Sequence, residues 1–275
     1  MNDLKGSLEA QYPWPIEQPT PDVEAVGRPA EGLDLALSAL AEHDAPVIVE
    51  IGAEFGGSTR TWLRSLQSCC VVSVDPWPDD YPTHNWPKIT EAVDRGTSIQ
   101  HLFMSFCWEY RDRLVAMRGK SPDALMELRD LGLEPTLVYI DGDHRYEAVM
   151  RDLIVADTLF PEAILCGDDW SFRPKARKYR GMTLPVQFAV NDYCAFRGYG
   201  VRAEQQTWLI DRMDPDSVPP LRRLQKPSDF ESRVEQRLTA LEGSRAGVES
   251  RPGALERASE ELKRMVGRAS RGFGR

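Results

Sequence analysis

Val47-Ile-Val-Glu-Ile-Gly-Ala-Glu-Phe-Gly-Gly-Ser-Thr59 is the stretch that decides the fold. Its first five residues are β-branched or charged in a pattern that suits a short, buried parallel strand. Three glycines follow, and the polar-apolar run from Ser58 (STRTWLRSL) reads as an amphipathic helix. Strand, glycine turn and helix form the opening of a βαβ unit. Outward from it the same alternation repeats. Val71–Val74 is a second strand ending at Asp75, and Leu114–Met117 a third. Leu137–Ile140 is a fourth, ending at Asp141, and Ala163–Cys166 a fifth, running into Gly167-Asp168-Asp169. Between the last two, Val149, Met150, Leu153 and Ile154 share one helical face. Strands alternating with helices predict an α/β fold, a Rossmann-like doubly wound and mostly parallel sheet covered on both faces.

The flanks differ in composition. Residues 1–29 are proline-rich and read as an N-terminal arm anchored by Tyr12 and Trp14. Residues 30–217 carry the α/β pattern, and Pro219-Pro220 lies just beyond its end. Residues 218–275 read as a charged helical extension, with stripes at Phe230, Val234, Leu238 and Leu241 and at Leu255, Ala258, Leu262 and Met265. From 221 onward there are 13 basic and 8 acidic side chains, a local +5 in a chain of 275 residues and net charge −9.

An acidic balance of 34 Lys+Arg against 43 Asp+Glu argues against nucleic acid or an anionic membrane as partner. The sequence contains no apolar run of membrane-spanning length and no secretory signal pattern, so a cytoplasmic location is expected. Five cysteines without a CxxC pair read as reduced thiols. A small-molecule acceptor, with a homo-oligomer as an open arrangement, is the expected set of partners.

In doubly wound sheets ligands bind beyond the carboxyl ends of the strands. Gly52, Gly56 and Gly57 allow close backbone approach there, but their G-x-x-x-G-G spacing is not the dinucleotide G-x-G-x-x-G. Glu50, an acid inside an apolar strand, needs a partner, either a cationic ligand or a salt bridge. Asp75 stands where a carboxylate accepts both ribose hydroxyls, although an Asp before proline also caps turns. Asp141, Asp168 and Asp169 converge if their strands are neighbours, and oxygen-only ligands favour Mg²⁺ or another divalent cation over zinc. His144 has two readings, a general base or the first residue of a helix.

The segments VEIGAEFGGST, VVSVDPW, LVYIDGDHRYEAVMRDL and ILCGDDW together resemble class I S-adenosylmethionine-dependent methyltransferases. The likeness is to the metal-dependent small-molecule and sugar O-methyltransferase branch, similar to macrocin O-methyltransferase, and covers roughly residues 45–212. It implies S-adenosyl-L-methionine as cofactor, held by Glu50, Gly52, Gly56, Ser58, Asp75, Ser121 and Asp141. It implies divalent-metal ligation by Asp141, Asp168 and Asp169, and Asp143 or His144 as the catalytic base. It adds an antiparallel strand pair, fitted by Gly200–Ala203 and Thr207–Ile210. The insertion at Asp79–Lys88 lies where substrate or lid elements sit in that family. A basic run from Arg173 through Lys175, Arg177, Lys178 and Arg180 reads either as a solvated loop or as an attractor for an acidic acceptor. A cephalosporin-type hydroxylase-like or other Rossmann-like enzyme is the alternative. Against it stand the glycine spacing and the lack of a 2-His-1-carboxylate pattern. A non-catalytic scaffold is a third reading, and the converging acids count against it.

Overall fold

A computed structural model describes residues 6, 8, 10–27, 31–174 and 183–212. The 218–275 extension and Lys175, Arg177, Lys178 and Arg180 of the basic run lie outside the described residues. In chain order the elements are α1 (Asp34–Ala39), β1 (Val47–Ile51), α2 (Gly57–Ser65), β2 (Cys70–Asp75), α3 (Pro87–Asp94) and α4 (Ile99–Phe106). A 3₁₀ turn (Trp108–Arg113) leads to β3 (Leu114–Arg118), α5 (Asp123–Asp130), β4 (Leu137–Ile140), α6 (Tyr146–Leu159) and β5 (Ile164–Gly167). α7 (Pro185–Arg197), β6 (Gly200–Glu204) and β7 (Thr207–Asp211) complete the described chain.

The strands form one sheet in the order β3-β2-β1-β4-β5-β7-β6. The first five pair in parallel, whereas β7 runs antiparallel to both β5 and β6. The expected Rossmann-like α/β fold is therefore present, with its antiparallel pair at one edge. The strand order reverses between β1 and β4, which opens a crevice above their carboxyl ends.

Strand periodicity distributes the core into two layers. Val49, Ile51, Val72, Val74, Val138 and Ile140 face α5, α6 and α7. Ile48, Val71, Leu137, Tyr139 and Cys166 point the other way, against α1 to α4. All five cysteines are free, and four are buried. Among the described residues no helix is long and apolar enough to cross a membrane.

The arm is anchored by the aromatics expected of it. Tyr12 donates its hydroxyl to Glu127 at 2.6 Å, and Trp14 donates Nε1 to the Leu114 carbonyl at 2.9 Å while packing edge-on against Trp108. Further along, Gln18 donates to the Ser105 carbonyl. The arm thus clamps α4, β3 and α5 together.

Candidate functional site

The cavity at the strand-order reversal has a volume of about 840 Å³ and is lined from the ends of β1, β2, β4 and β5. Its shape begins with Gly52. The Gly52 N–H donates to Val74 O, and the next bond across, from Asp141 N–H to Ile51 O, joins the ends of β1 and β4. Gly52 has φ +92°, and a Cβ there would lie 2.1 Å from the Asp141 carbonyl oxygen. Only glycine permits this approach.

Asp75 lines the cavity and accepts backbone N–H bonds from Glu54 at 3.0 Å and Trp77 at 2.7 Å. Burial raises its carboxyl above the usual range, against the pull of those two bonds. Each oxygen keeps a lone pair for a ligand hydroxyl. Ser121 is also on the wall, its Oγ donating to Asp152 at 2.8 Å.

At the far end Asp141, His144 and Asp169 come together, with one ligand atom from each within 4.8 Å of the others. His144 Nε2 lies 2.8 Å from Asp169 Oδ2 and 3.6 Å from Asp141 Oδ1. Phe172 packs edge-on against the imidazole, with centroids 4.9 Å apart. Burial disfavours the imidazolium, but the bonds to Asp141 and Asp169 outweigh it and raise the His144 pKa. Burial likewise lifts the Asp141 carboxyl, and the bond from His144 opposes that rise. Burial pushes Asp168 up to about 6. Its Oδ1 is buried and has no hydrogen-bond partner. The expected trio of acids is therefore rearranged, with the imidazole standing inside the group and Asp168 beside it. Asp143 lines the cavity but is tied up: Arg145 donates Nε to both carboxylate oxygens, at 2.9 and 2.7 Å, and a further guanidinium nitrogen to Oδ2.

Three expected cofactor residues are not brought to the cavity wall. Glu50 is fully buried on the opposite side of β1, facing α2. Its carboxylate accepts hydroxyl bonds from Ser58 at 2.6 Å, Ser73 at 2.7 Å and Thr59. Among the described residues its partners are these hydroxyls, and no salt bridge to it is formed. Ser58 is consumed in the same cluster. Gly56 caps α2 with φ +76°, and a Cβ on it would meet Cys107 Sγ at 2.6 Å, inside the core. The α2 N-terminus is closed over by the arm, where Arg60 donates to the Val26 and Phe55 carbonyls.

Two residues not singled out from sequence do line the cavity, Glu54 and Tyr81. Tyr81 belongs to the 79–88 insertion and donates its hydroxyl to Glu54. Tyr81 and Trp86 both pack edge-on against Phe55. The prolines and aromatics of that insertion were the available signal.

Residues 49–170 match the family described as a methyltransferase domain. No curated protein matches the chain in sequence. Among solved structures it is similar to the precorrin 8w decarboxylase of Methanobacterium thermoautotrophicum, at 15% identity and TM-score 0.43 over 68% of this chain and 91% of that one. It is similar to the C-terminal domain of precorrin-6Y C5,15-methyltransferase from Rhodobacter capsulatus, at 17% identity and TM-score 0.38 over 64% and 84%. It is also similar to M. capricolum TrmK in complex with S-adenosyl-homocysteine, at 8% identity and TM-score 0.37 over 90% and 99%. The matched segment runs from within β1 to just past the end of β5 and supplies most of the cavity wall, so it is this part of the chain, with its cavity, that is similar to a methyltransferase domain.

Proposed function

We propose that the protein transfers the methyl group of S-adenosylmethionine to a hydroxyl of a small molecule or sugar, assisted by a divalent cation. The observation that carries this reading is the meeting of Asp141, His144 and Asp169 in the same cavity as Asp75 and Gly52. A volume of about 840 Å³ accommodates a nucleoside cofactor together with a small acceptor. Asp75 takes the ribose hydroxyls, Gly52 lets the backbone lie against the cofactor, and Ser121 with Asp152 walls the purine end. The other expected positions, Glu50, Gly56 and Ser58, support the cavity from behind rather than touch its contents.

The donor set fits a divalent cation. Two carboxylates and one imidazole nitrogen converge, and Asp168, whose buried Oδ1 has no hydrogen-bond partner, lines the same cavity. The nitrogen widens the choice beyond Mg²⁺ to Mn²⁺ and other borderline metals. When bound, such an ion lowers the pKa of an acceptor hydroxyl and orients it.

The cofactor's methyl group is already activated, so the chain's own work is alignment and proton removal. Of the two expected bases, Asp143 has both oxygens engaged by Arg145. His144 holds Nε2 between Asp169 and Asp141, so in the cation-free site the acceptor proton is taken up by a carboxylate of this imidazole–carboxylate group, with His144 positioning it. In the loaded site the same nitrogen is a ligand.

Calorimetric titration of S-adenosylhomocysteine into the wild type and Asp75→Ala tests the cofactor half. Saturable binding that Asp75→Ala weakens by about tenfold or more supports it. Absence of binding to the wild type sinks it. Titration of Mn²⁺ into the wild type and Asp169→Asn tests the metal half, which fails if both bind the ion equally.

A further inference from the structure

Glu54 is, like Asp75, an acidic residue of the cavity wall for which no ion pair is formed among the described residues. It stands at φ +46°, a backbone region that a non-glycine residue enters only when its surroundings hold it there. Its N–H donates to Asp75 Oδ2, and its carbonyl accepts Trp77 Nε1 at 2.8 Å. Its carboxylate accepts the Tyr81 hydroxyl. Backbone and side chain are thus fixed at separate points, with the carboxylate on the cavity wall. The donor to that carboxylate is a neutral phenol. Among the described residues no lysine, arginine or histidine pairs with it, whereas Asp141, Asp143, Asp152 and Asp169 each have a cationic neighbour. A carboxylate held rigid and uncompensated in a partly enclosed site favours a positively charged ligand.

The position of that charge matters. Glu54 is joined to Asp75 on one side, and the loop that carries it begins at Gly52, against Asp141. With the ribose at Asp75 and the acceptor at the Asp141 group, the sulfur must lie between these two ends. We propose that Glu54 makes this cavity prefer the cationic sulfonium of S-adenosylmethionine over the neutral sulfide of S-adenosylhomocysteine, so that loss of the methyl group itself weakens the hold on the product. The proposal rests on reading the cavity as the S-adenosylmethionine site. In the transfer the sulfur–methyl bond breaks, its electron pair stays on sulfur, and the oxygen–methyl bond forms as the hydroxyl proton leaves. The positive charge that Glu54 faces disappears in that step.

The test is calorimetric titration of S-adenosylmethionine and S-adenosylhomocysteine, separately, into the full-length wild type, Glu54→Gln and Glu54→Asp. Glu54→Gln is expected to weaken S-adenosylmethionine about tenfold or more and S-adenosylhomocysteine by less than about threefold. Glu54→Asp, which withdraws the charge by one methylene and tolerates positive φ, is expected to give an intermediate ratio. If Glu54→Gln loses its cooperative melting transition, the Glu54→Asp ratio decides alone. Equal weakening of both nucleosides would mean that the carboxylate serves their shared amino-acid portion, and would overturn the proposal. So would an unchanged ratio. A wild type that binds both nucleosides with a ratio insensitive to Glu54 rejects this inference and leaves the cofactor site standing. A wild type that binds neither rejects both.

Discussion

Glu50 shows how one carboxylate is made tolerable in a parallel strand. Three hydroxyls, from Ser58, Thr59 and Ser73, satisfy a group with no solvent access. Burial still raises its pKa above the usual carboxylate value. The folded chain therefore holds this proton more tightly than the unfolded chain, and stability falls as pH rises above the unfolded carboxylate pKa. Glu50→Gln is expected to remove that decline, so its melting temperature gains on the wild type between pH 4 and pH 8, as thermal scans would reveal. Glu50→Ala leaves three buried hydroxyls without their acceptor and is expected to cost about 2–4 kcal/mol. In the sequence Glu50 was conspicuous as an acid in an apolar strand, yet its direction was readable only from strand parity. Ile48 and Glu50 share one face, and Val49 and Ile51 the other.

At the scale of elements, the site depends on how closely β1 and β4 approach. The Gly52 turn and the Asp141 backbone touch, and a Cβ on Gly52 has no space. Gly52→Ala is expected to destabilise the fold by about 3 kcal/mol or more and to abolish nucleoside binding, as measured by chemical denaturation and calorimetry. The strands and their acidic ends were legible from sequence because β-branched runs, glycine turns and the period of α6 all agree. The composition of the acid cluster was less legible. His144 precedes α6, whose first residue is Tyr146, and only the turn through Gly142 and Asp143 swings its imidazole between Asp141 and Asp169. Spacing alone left it equally a base or a helix-start residue.

At the scale of the molecule, the arm ties distant elements together. Trp14 bridges to Leu114 and Trp108, and Tyr12 to Glu127. Trp14→Ala is expected to cost about 2 kcal/mol, less than a fully buried aromatic, and to lower the melting temperature without changing nucleoside affinity. Among the described residues the cavity is lined by side chains and backbone between Glu31 and Gln206. A chain ending at residue 212 is accordingly expected to bind S-adenosylhomocysteine with the affinity of the full-length protein. A large loss in calorimetry would assign residues 213–275 a part in the site.

The antiparallel edge was expected only from the family resemblance, whereas the residue pattern itself established the α/β class, the strand positions to within a residue or two and the placing of Asp75, Asp141, Asp168 and Asp169 at strand ends. These follow from local periodicity and turn chemistry, which act over a few residues. Only the tertiary structure decided that Glu50, Gly56 and Ser58 stand behind the cavity, that Asp143 is bound by Arg145, and that His144, Glu54 and Tyr81 enter the cavity wall. Those outcomes depend on which face of a strand meets which helix and on contacts across 27 residues of chain between Glu54 and Tyr81. Such pairings are set by packing of the whole fold, and no local pattern encodes them.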